Sequence, residues 1–331
     1  MQGKLAAILI ALCPDMAHAQ SPATSPAALP VTAEAKAAYA TYLATNLPRA
    51  FATGPGDTFG WRGGTGRAET VQADALASCA ARSQPAPTTC QLYAADLAIA
   101  GQAPPPAPAA LRKTWNYSLD PDPRFVWHGP AAAAGVYLWA HGTGGQGLQP
   151  QTHVRAFNNA KFDIVRFDRD PNADSNRDRA AGWMADGLTL LRSQGYRRVI
   201  VGGQSRGAWN ALMMLDRPGL VDAVIAISPA AHGVGSSTNL TAQYDDLRQL
   251  IGAARPAPVR VAFVQFAADP FAGDLAGRRA LVELVRPRVG GLLILDQPEG
   301  LRGHQAGSST AFAERYGPCL LQFALGGPDH C

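Results

Sequence analysis

The sequence predicts an α/β protein in which a doubly wound, mostly parallel β-sheet follows a small disulfide-tied α+β module. Three observations predict it. From residue 113 onward, short apolar runs alternate with helical stretches, which is typical of parallel strands covered on both faces. A Gly-x-Ser-x-Gly motif lies between one of these runs and an apolar helix. Beyond residue 20, four cysteines fall into two pairs that are close in sequence.

The amino terminus has the pattern of a secretory signal peptide over residues 1–19. One early cation, Lys4, precedes an apolar run that is too short to span a bilayer, and Ala-His-Ala precedes the expected cleavage before Gln20. Residues 20–30, rich in Pro, Ala and Ser, are expected to form a disordered leader. The mature protein is therefore predicted to be periplasmic or secreted, in an oxidising compartment.

The cysteines are expected to form disulfides in such a compartment. Cleavage of the signal would remove Cys13 and leave four cysteines, which allow three connectivities. Nearness in sequence favours the pairs Cys79–Cys90 and Cys319–Cys331.

The module ahead of the sheet begins with a predicted helix over residues 33–47, in which Tyr39 and Leu43 are spaced for one face. A strand, a Gly-rich turn, a second helix and a last strand are expected after it. The sequences Gly-Trp, Ala-Leu-x-x-Cys and Cys-x-Leu-Tyr-Ala resemble a small module of exported bacterial proteins, a resemblance that implies no activity. A stiff Pro/Ala-rich linker follows. The predicted organisation is a module over 20–100, a linker over 101–112 and a catalytic domain over 113–331.

The catalytic domain is expected to contain a parallel sheet made from the apolar runs. These runs lie at residues 135–140, 162–167, 198–202, 222–228, 259–266 and 291–296. The sequence Arg-Phe-Val-Trp at 124–127 is expected to add an antiparallel edge strand.

Charge and composition exclude several functions. The net charge is +4, and the arginines are scattered without a basic run, so no nucleic-acid partner is predicted. No Cys-x-x-Cys or His-Glu-x-x-His sequence is present, and neither a metal nor a cofactor is predicted. Beyond the signal, no stretch is long and apolar enough to predict a membrane span.

The most informative stretch is the Gly-x-Ser-x-Gly motif. The run 198–202 leads into Gly203, Ser205 and Gly207, and a helix is expected from Ala208. A serine at such a strand–turn–helix junction sits on a strained turn with its hydroxyl exposed, and this context makes a frequent motif meaningful. Ser205 is the candidate nucleophile.

A serine nucleophile needs a base, and the base needs an acid that orients it. Asp269 follows the strand at 259–266, and His304 lies in a Gly-flanked loop after the final strand. Asp274 is a competing choice for the acid. In this order, residues 113–331 resemble the α/β-hydrolase family, near its dienelactone hydrolases and small esterases. The resemblance implies a triad of Ser205, Asp269 and His304.

His141-Gly142-Thr143, which opens the Gly-rich loop after the run 135–140, resembles the loop that donates one N–H to the oxyanion in that family. The implied donors are the backbone N–H groups of Thr143 and Arg206. His141 and His232 lie at strand ends and are expected to line the substrate pocket. The Arg206 side chain either holds a substrate carboxylate or phosphate or faces solvent.

Two other interpretations of this region are weaker. The loop also fits Gly-x-Gly-x-x-Gly with Asp168 as a ribose ligand, but Pro150 interrupts the helix that a dinucleotide site requires. Residues 168–179 resemble a calcium loop, but Ala173 replaces the turn glycine and Arg179 replaces the bidentate glutamate.

The predicted function is hydrolysis of a carboxylic ester by an exported serine hydrolase, with a small-molecule ester as substrate. An acyltransferase or a peptidase would use the same residues. A third alternative is a catalytically silent scaffold whose module binds cell-envelope material, and this material is also a candidate partner of the active enzyme.

Overall fold

The computed structural model describes residues 32–45, 48–63, 67–82, 89–96, 98–100, 108–145, 150–170, 176–232 and 240–331. The predicted signal peptide (1–19), the leader (20–30) and residues 101–107 of the predicted linker lie outside the described residues.

A four-stranded antiparallel sheet with two helices forms the first unit. Its elements are α1 (Ala33–Ala44), β1 (Arg49–Thr53), β2 (Phe59–Gly63), α2 (Ala68–Arg82), β3 (Gln91–Ala95) and β4 (Ala98–Ile99). The strand order is β2-β1-β3-β4. Helix α1 ends three residues before the predicted position 47, and Thr45, which follows it, has an extended backbone with φ −84° and ψ 147°.

The core of this unit is aromatic and small. Phe51 of β1 packs its ring against Tyr39, Tyr42 and Phe59. On the other face α2 lies so close to β2 that a Cβ atom at Gly60 would sit 2.2 Å from a backbone nitrogen of the helix. The predicted disulfide between Cys79 and Cys90 is present and ties α2 to the start of β3.

Eight strands form the larger sheet. They are β5 (Arg112–Lys113), β6 (Tyr117–Pro121), β7 (Gly135–Ala140), β8 (Phe162–Arg169), β9 (Val199–Gln204), β10 (Ala223–Ile227), β11 (Arg260–Gln265) and β12 (Gly291–Asp296). Their order is β12-β11-β10-β9-β7-β8-β6-β5, and only the pairs that involve β5 and β6 are antiparallel.

Six helices alternate with these strands. They are α3 (Val154–Asn159), α4 (Arg177–Ser193), α5 (Arg206–Leu212), α6 (Leu240–Ala253), α7 (Leu275–Glu283) and α8 (Thr310–Ala324). Side chains of α4, α5 and α6 belong to one hydrophobic cluster with the sheet, and those of α3 and α8 belong to a second. The sheet is thus covered on both faces, which confirms the predicted doubly wound, mostly parallel α/β class. The predicted disulfide Cys319–Cys331 ties α8 to the carboxyl terminus.

The predicted edge strand at 124–127 is wrong. Asp122 and Arg124 form a turn there, because the buried Asp122 carboxylate accepts from both the backbone N–H and the guanidinium of Arg124. The antiparallel neighbour of β8 is β6 instead, in which Tyr117, Leu119 and Pro121 are buried and the residues between them are half-buried. This period-two alternation in the sequence is the signal that would have identified it.

Candidate active site

Ser205 lies on a sharp turn between β9 and α5. Its backbone has φ 57° and ψ −121°, a conformation that costs a residue other than glycine about 1–3 kcal/mol. Surrounding structure fixes the turn: the Ser205 N–H donates to Ile227 O at 3.0 Å, and the Ser205 carbonyl accepts from Trp209 N at 3.0 Å. The half-buried Ser205 side chain is therefore carried by a rigid turn at the carboxyl edge of the sheet.

The two motif glycines allow this turn to pack against β7. A Cβ atom would lie 2.4 Å from the Ala140 carbonyl oxygen if placed on Gly203, and 2.0 Å if placed on Gly207. Real Cβ atoms do not approach backbone that closely, so larger residues at either position would push α5 away from the sheet.

Asp269 and His304 lie side by side on the loops that follow β11 and β12. The His304 Nδ1 atom is 3.0 Å from Asp269 Oδ1 and 2.9 Å from Oδ2. The carboxylate is buried, while 11% of the histidine side chain remains exposed. In the neutral tautomer whose Nδ1–H donates to this carboxylate, Nε2 carries the lone pair that can accept a proton.

Backbone contacts hold these loops to each other and to the serine turn. Ala267 and Arg302 form a parallel bridge, and Gly303 N donates to Ala267 O at 2.8 Å. The side-chain amide of Gln204, the residue before Ser205, donates to His304 O at 3.1 Å. The three candidate triad residues are thus carried by one connected edge of the sheet.

The competing acid, Asp274, has a different position. Its carboxylate accepts from Gly277 N at 2.9 Å and caps the amino terminus of α7. Of the two sequence candidates, Asp269 is the one that contacts His304.

A buried cation lies behind Asp269. Arg278 of α7 is 1% exposed and donates to Pro229 O at 2.7 Å. Burial lowers the pKa of Arg278 to about 10, while the charge of Asp269 acts to raise it.

The loop that begins with His141 runs along the serine turn. A Cβ atom on Gly142 would lie 3.4 Å from the Ser205 Cβ, so the loop backbone is close to the nucleophile. Thr143, one of the implied oxyanion donors, follows and is exposed. Arg206, the other, is half-buried and begins α5, where the first N–H groups of a helix have no partner within it.

Sequence reasoning missed the residue that holds this loop. Arg169, at the end of β8, is fully buried and donates to His141 O at 2.7 Å and to Gly142 O at 3.1 Å. Its guanidinium therefore fixes two successive carbonyls next to Thr143. No local pattern marks Arg169 for this contact, because its partners lie 27 and 28 residues away in sequence.

The two predicted substrate-binding histidines are both in hydrogen-bonded surroundings. His141 is fully buried, and its Nδ1 lies 2.6 Å from Gly142 O. His232 is half-buried, and its Nε2 lies 2.5 Å from an Asp246 carboxylate that also accepts from Arg177. Together these two contacts hold the pKa of Asp246 below its ordinary value, although burial acts to raise it. The role of both histidines in substrate binding stays a prediction.

The alternative sites drawn from the sequence are only partly described. Asp168 pairs with Arg166 at 3.1 Å, while Gly147 and residues 171–175 lie outside the described residues. In the described part of the chain, no cluster of three or more His, Cys, Asp or Glu side chains could hold a metal ion. No helix in that same part is long and apolar enough to cross a membrane.

No family model and no curated protein matches this sequence. Solved structures of esterases are among its structural neighbours. Est1E from Butyrivibrio proteoclasticus is 12% identical, with 66% of this chain and 100% of that chain covered and a TM-score of 0.49. The esterase Pf2001 from Pyrococcus furiosus is 13% identical, with 63% and 86% covered and a TM-score of 0.45. The esterase Est2 from Thermogutta terrifontis is 14% identical, with 66% and 92% covered and a TM-score of 0.44. At this level of similarity the chemistry has to be argued from the residues of this chain.

Proposed function

We propose that this protein is a serine hydrolase that cleaves a carboxylic ester through an acyl-enzyme intermediate. The observation that carries the proposal is the contact of His304 Nδ1 with Asp269, on loops tied by Gln204 to the strained turn of Ser205. A nucleophile, a base with a free Nε2 and an orienting acid on one sheet edge are the parts that acyl transfer needs.

The reaction begins when His304 Nε2 accepts the Ser205 hydroxyl proton as Oγ attacks the ester carbonyl. The C–Oγ bond forms, and the resulting imidazolium is stabilised by Asp269. His304 then gives this proton to the leaving alcohol as the C–O ester bond breaks. A water molecule, deprotonated by His304 in turn, attacks the acyl-enzyme and releases the acid.

The developing oxyanion is held by the N–H groups of Thr143 and Arg206. Both belong to backbone fixed before the reaction, the first by the Arg169 contacts to its loop and the second by the start of α5. Removal of one such donor typically costs about 3–4 kcal/mol of barrier.

The same residues would serve an acyltransferase or a peptidase. Hydrolysis of an ester is the simplest reaction that they support. Export to the periplasm or beyond belongs to the same proposal, since two disulfides suit an oxidising compartment.

The test is covalent labelling of the purified, oxidised protein with a fluorophosphonate, which transfers its phosphonyl group to an activated serine and loses fluoride. We expect labelling of the wild type and its loss in Ser205→Ala and His304→Ala. Ser193→Ala, which removes an exposed hydroxyl bonded to Leu190 O, is the matched control and should label fully. A folded wild type that does not label would overturn the proposal. When the wild type labels, we expect it to hydrolyse 4-nitrophenyl esters of graded acyl length, and no hydrolysis of any of them would count against an esterase.

A further inference from the structure

A cavity lies between the small unit and the larger sheet, and Ser205 does not line it. It has a volume of about 390 Å³, within the usual range of roughly 300–1,000 Å³ for small-molecule sites. Residues of α1, β1, β3 and β4 line one side, and Pro123–Trp127 together with α3 line the other. None of the candidate triad residues contributes to it.

Arg155 of α3 is the unusual group in this cavity. Its side chain is buried, with 7% of the residue exposed, and its Nε atom has no hydrogen-bond partner. One long contact of 3.5 Å joins Nη2 to Arg124 O, and no described carboxylate forms an ion pair with it. Glu314 borders a neighbouring cavity that Arg155 also reaches, but the two side chains do not pair.

The other two arginines of the cavity each have an acid nearby. Arg124 forms a bidentate pair with Asp122, with contacts of 2.7 and 2.6 Å. The Arg49 guanidinium donates to carbonyl oxygens at the end of α1, and the Asp96 carboxylate, which accepts from Arg49 N at 2.9 Å, attracts its charge. One positive charge, that of Arg155, is left over.

The surroundings of Arg155 disfavour the positive charge of its guanidinium. Burial, together with the charges of Arg49 and Arg124, lowers the pKa of Arg155 to about 9, although the charge of Asp122 acts to raise it. A buried charge of this kind is costly unless it is paired, so an anion in the cavity would relieve the cost.

Apart from Asn158 and Asn159, the remaining walls are apolar or aromatic. Tyr39, Ile99, Phe125 and Trp127 line the cavity. The Phe125 ring lies 4.5 Å from the Arg155 guanidinium carbon, measured to its centroid. A ligand that fits would therefore carry one negative charge at one end and an apolar body.

We propose that this cavity binds a small organic monocarboxylate, whose carboxylate pairs with the Arg155 guanidinium and whose aromatic or short aliphatic body packs against Phe125 and Trp127. A planar carboxylate matches the fork of the guanidinium. A single surplus positive charge favours a monoanion over a phosphate dianion, which would meet Asp96 at the same wall.

The test uses benzoate as the probe and the full chain carrying Ser205→Ala, so that turnover at the other site plays no part. We expect calorimetric titration to find one benzoate site per chain and at least about tenfold weaker binding of benzamide, which has the same shape without the charge. Arg155→Met in the same background should lose benzoate binding by at least about tenfold, while Arg248→Gln, which removes an exposed partner of Asp245, should leave it unchanged.

Thermal unfolding shows whether a loss of binding arises only because the variant does not fold. Arg155→Met without ligand is expected to unfold cooperatively and at no lower temperature than its parent, because it removes an unpaired buried charge. If it fails to fold, Arg155→Lys provides the second test: it keeps the charge without the fork, and benzoate should bind it more weakly than the parent. Absence of benzoate binding at tens of millimolar, equal affinity in Arg155→Met, or equal binding of inorganic phosphate would overturn the proposal.

Discussion

Polar side chains are buried both at the carboxyl edge of the larger sheet and at the start of α3, but the two regions differ in how many of these side chains have hydrogen-bond partners. At the sheet edge, Asp269 pairs with His304 and Arg169 donates to the two carbonyls of the loop beside Ser205. At α3, the Nδ1 of His153 and the Nε of Arg155 have no partner.

The polar groups described at the sheet edge hold one another by hydrogen bonds, whereas those at the start of α3 lack some of their partners. Groups that hold one another are preorganised, so they contribute to rate without rearrangement. Buried polar groups that lack a partner lower the free energy of unfolding. They are therefore expected to affect stability, its dependence on pH, and the binding of a ligand that supplies the absent partner. The sheet edge has exceptions: Arg278 leaves two of its nitrogens unpaired behind Asp269, and the Ser228 hydroxyl and the side-chain oxygen of Gln265 also lack partners. The comparison predicts that changes at the edge alter rate and that changes near α3 alter stability.

The largest effect is expected from a matched pair of acid variants. Asp269→Asn leaves the shape but loses the charge that orients and stabilises His304, so kcat should fall by about 10³–10⁴-fold. Asp274→Asn changes only the cap of α7 and should keep kcat within about twofold, since asparagine also caps helices. Ester hydrolysis under saturating substrate measures both. Equal loss in the two variants would contradict the assignment of Asp269.

The next effect tests whether Arg169 acts by positioning the oxyanion loop. Arg169→Met removes both contacts to the loop carbonyls, and kcat should fall by about 10²-fold with little change in KM, because the oxyanion exists only after attack. Arg169→Lys should restore part of the rate. Circular dichroism and thermal unfolding serve as controls. A variant in which kcat falls and KM rises by similar factors, together with a lowered unfolding temperature, would point to a purely structural role.

A third prediction concerns the small unit, which supplies half of the cavity at α3. The double variant Cys79→Ala/Cys90→Ala opens a short loop and should lower the stability of that unit by roughly 2–3 kcal/mol. Benzoate binding should weaken with it, while ester hydrolysis should change little, since no triad residue belongs to this unit. Urea titration followed by activity and binding assays measures all three. A large loss of turnover would show that the two regions are coupled.

The smallest effect is an acid sensitivity that arises at His153. Burial lowers the pKa of His153 in the folded protein to about 3, from an ordinary value of 6.5. Between these values the unfolded chain binds a proton that the folded protein excludes, so stability is full above about pH 6.5 and falls as the pH falls. The loss between pH 7 and pH 5 should be about 2 kcal/mol.

The double variant His153→Leu/Tyr137→Phe removes the titrating ring and the hydroxyl that lies 3.1 Å from its Nε2. Its stability should therefore change less over this pH range than that of the wild type, measured by urea unfolding. His330→Gln changes an exposed histidine and should keep the wild-type slope. An unchanged slope in the double variant would mean that His153 is not the group that titrates.

The sequence predicted the elements that depend on local pattern. The six apolar runs coincide with β7 to β12 within two residues at each end, because strands buried on both faces are continuously apolar. The Gly-x-Ser-x-Gly motif located the turn of Ser205 for a similar reason, since the close approach of α5 to β7 requires the glycines.

What the sequence did not predict depends on contacts between distant residues. Arg169 and Arg155 are two of many scattered arginines, and only the fold shows that one meets a pair of carbonyls and the other meets no acid. Asp269 and Asp274 are both acids beyond the same strand; the strand-end position favoured Asp269 in the sequence, but its contact with His304 and the capping contact of Asp274 are visible only in the fold. The strand β6 was missed although its alternation is visible, because the apolar residues at 124–127 drew the prediction to the wrong segment.

The positive φ of Ser205 also has a consequence for laboratory evolution of this protein. Glycine adopts such a backbone freely, so Ser205→Gly is expected to gain about 1 kcal/mol of stability after its own entropic cost is subtracted. A library selected only for heat resistance would therefore enrich the loss of the proposed nucleophile. Selection for a robust catalyst from this scaffold has to alternate heat challenge with a demand for turnover.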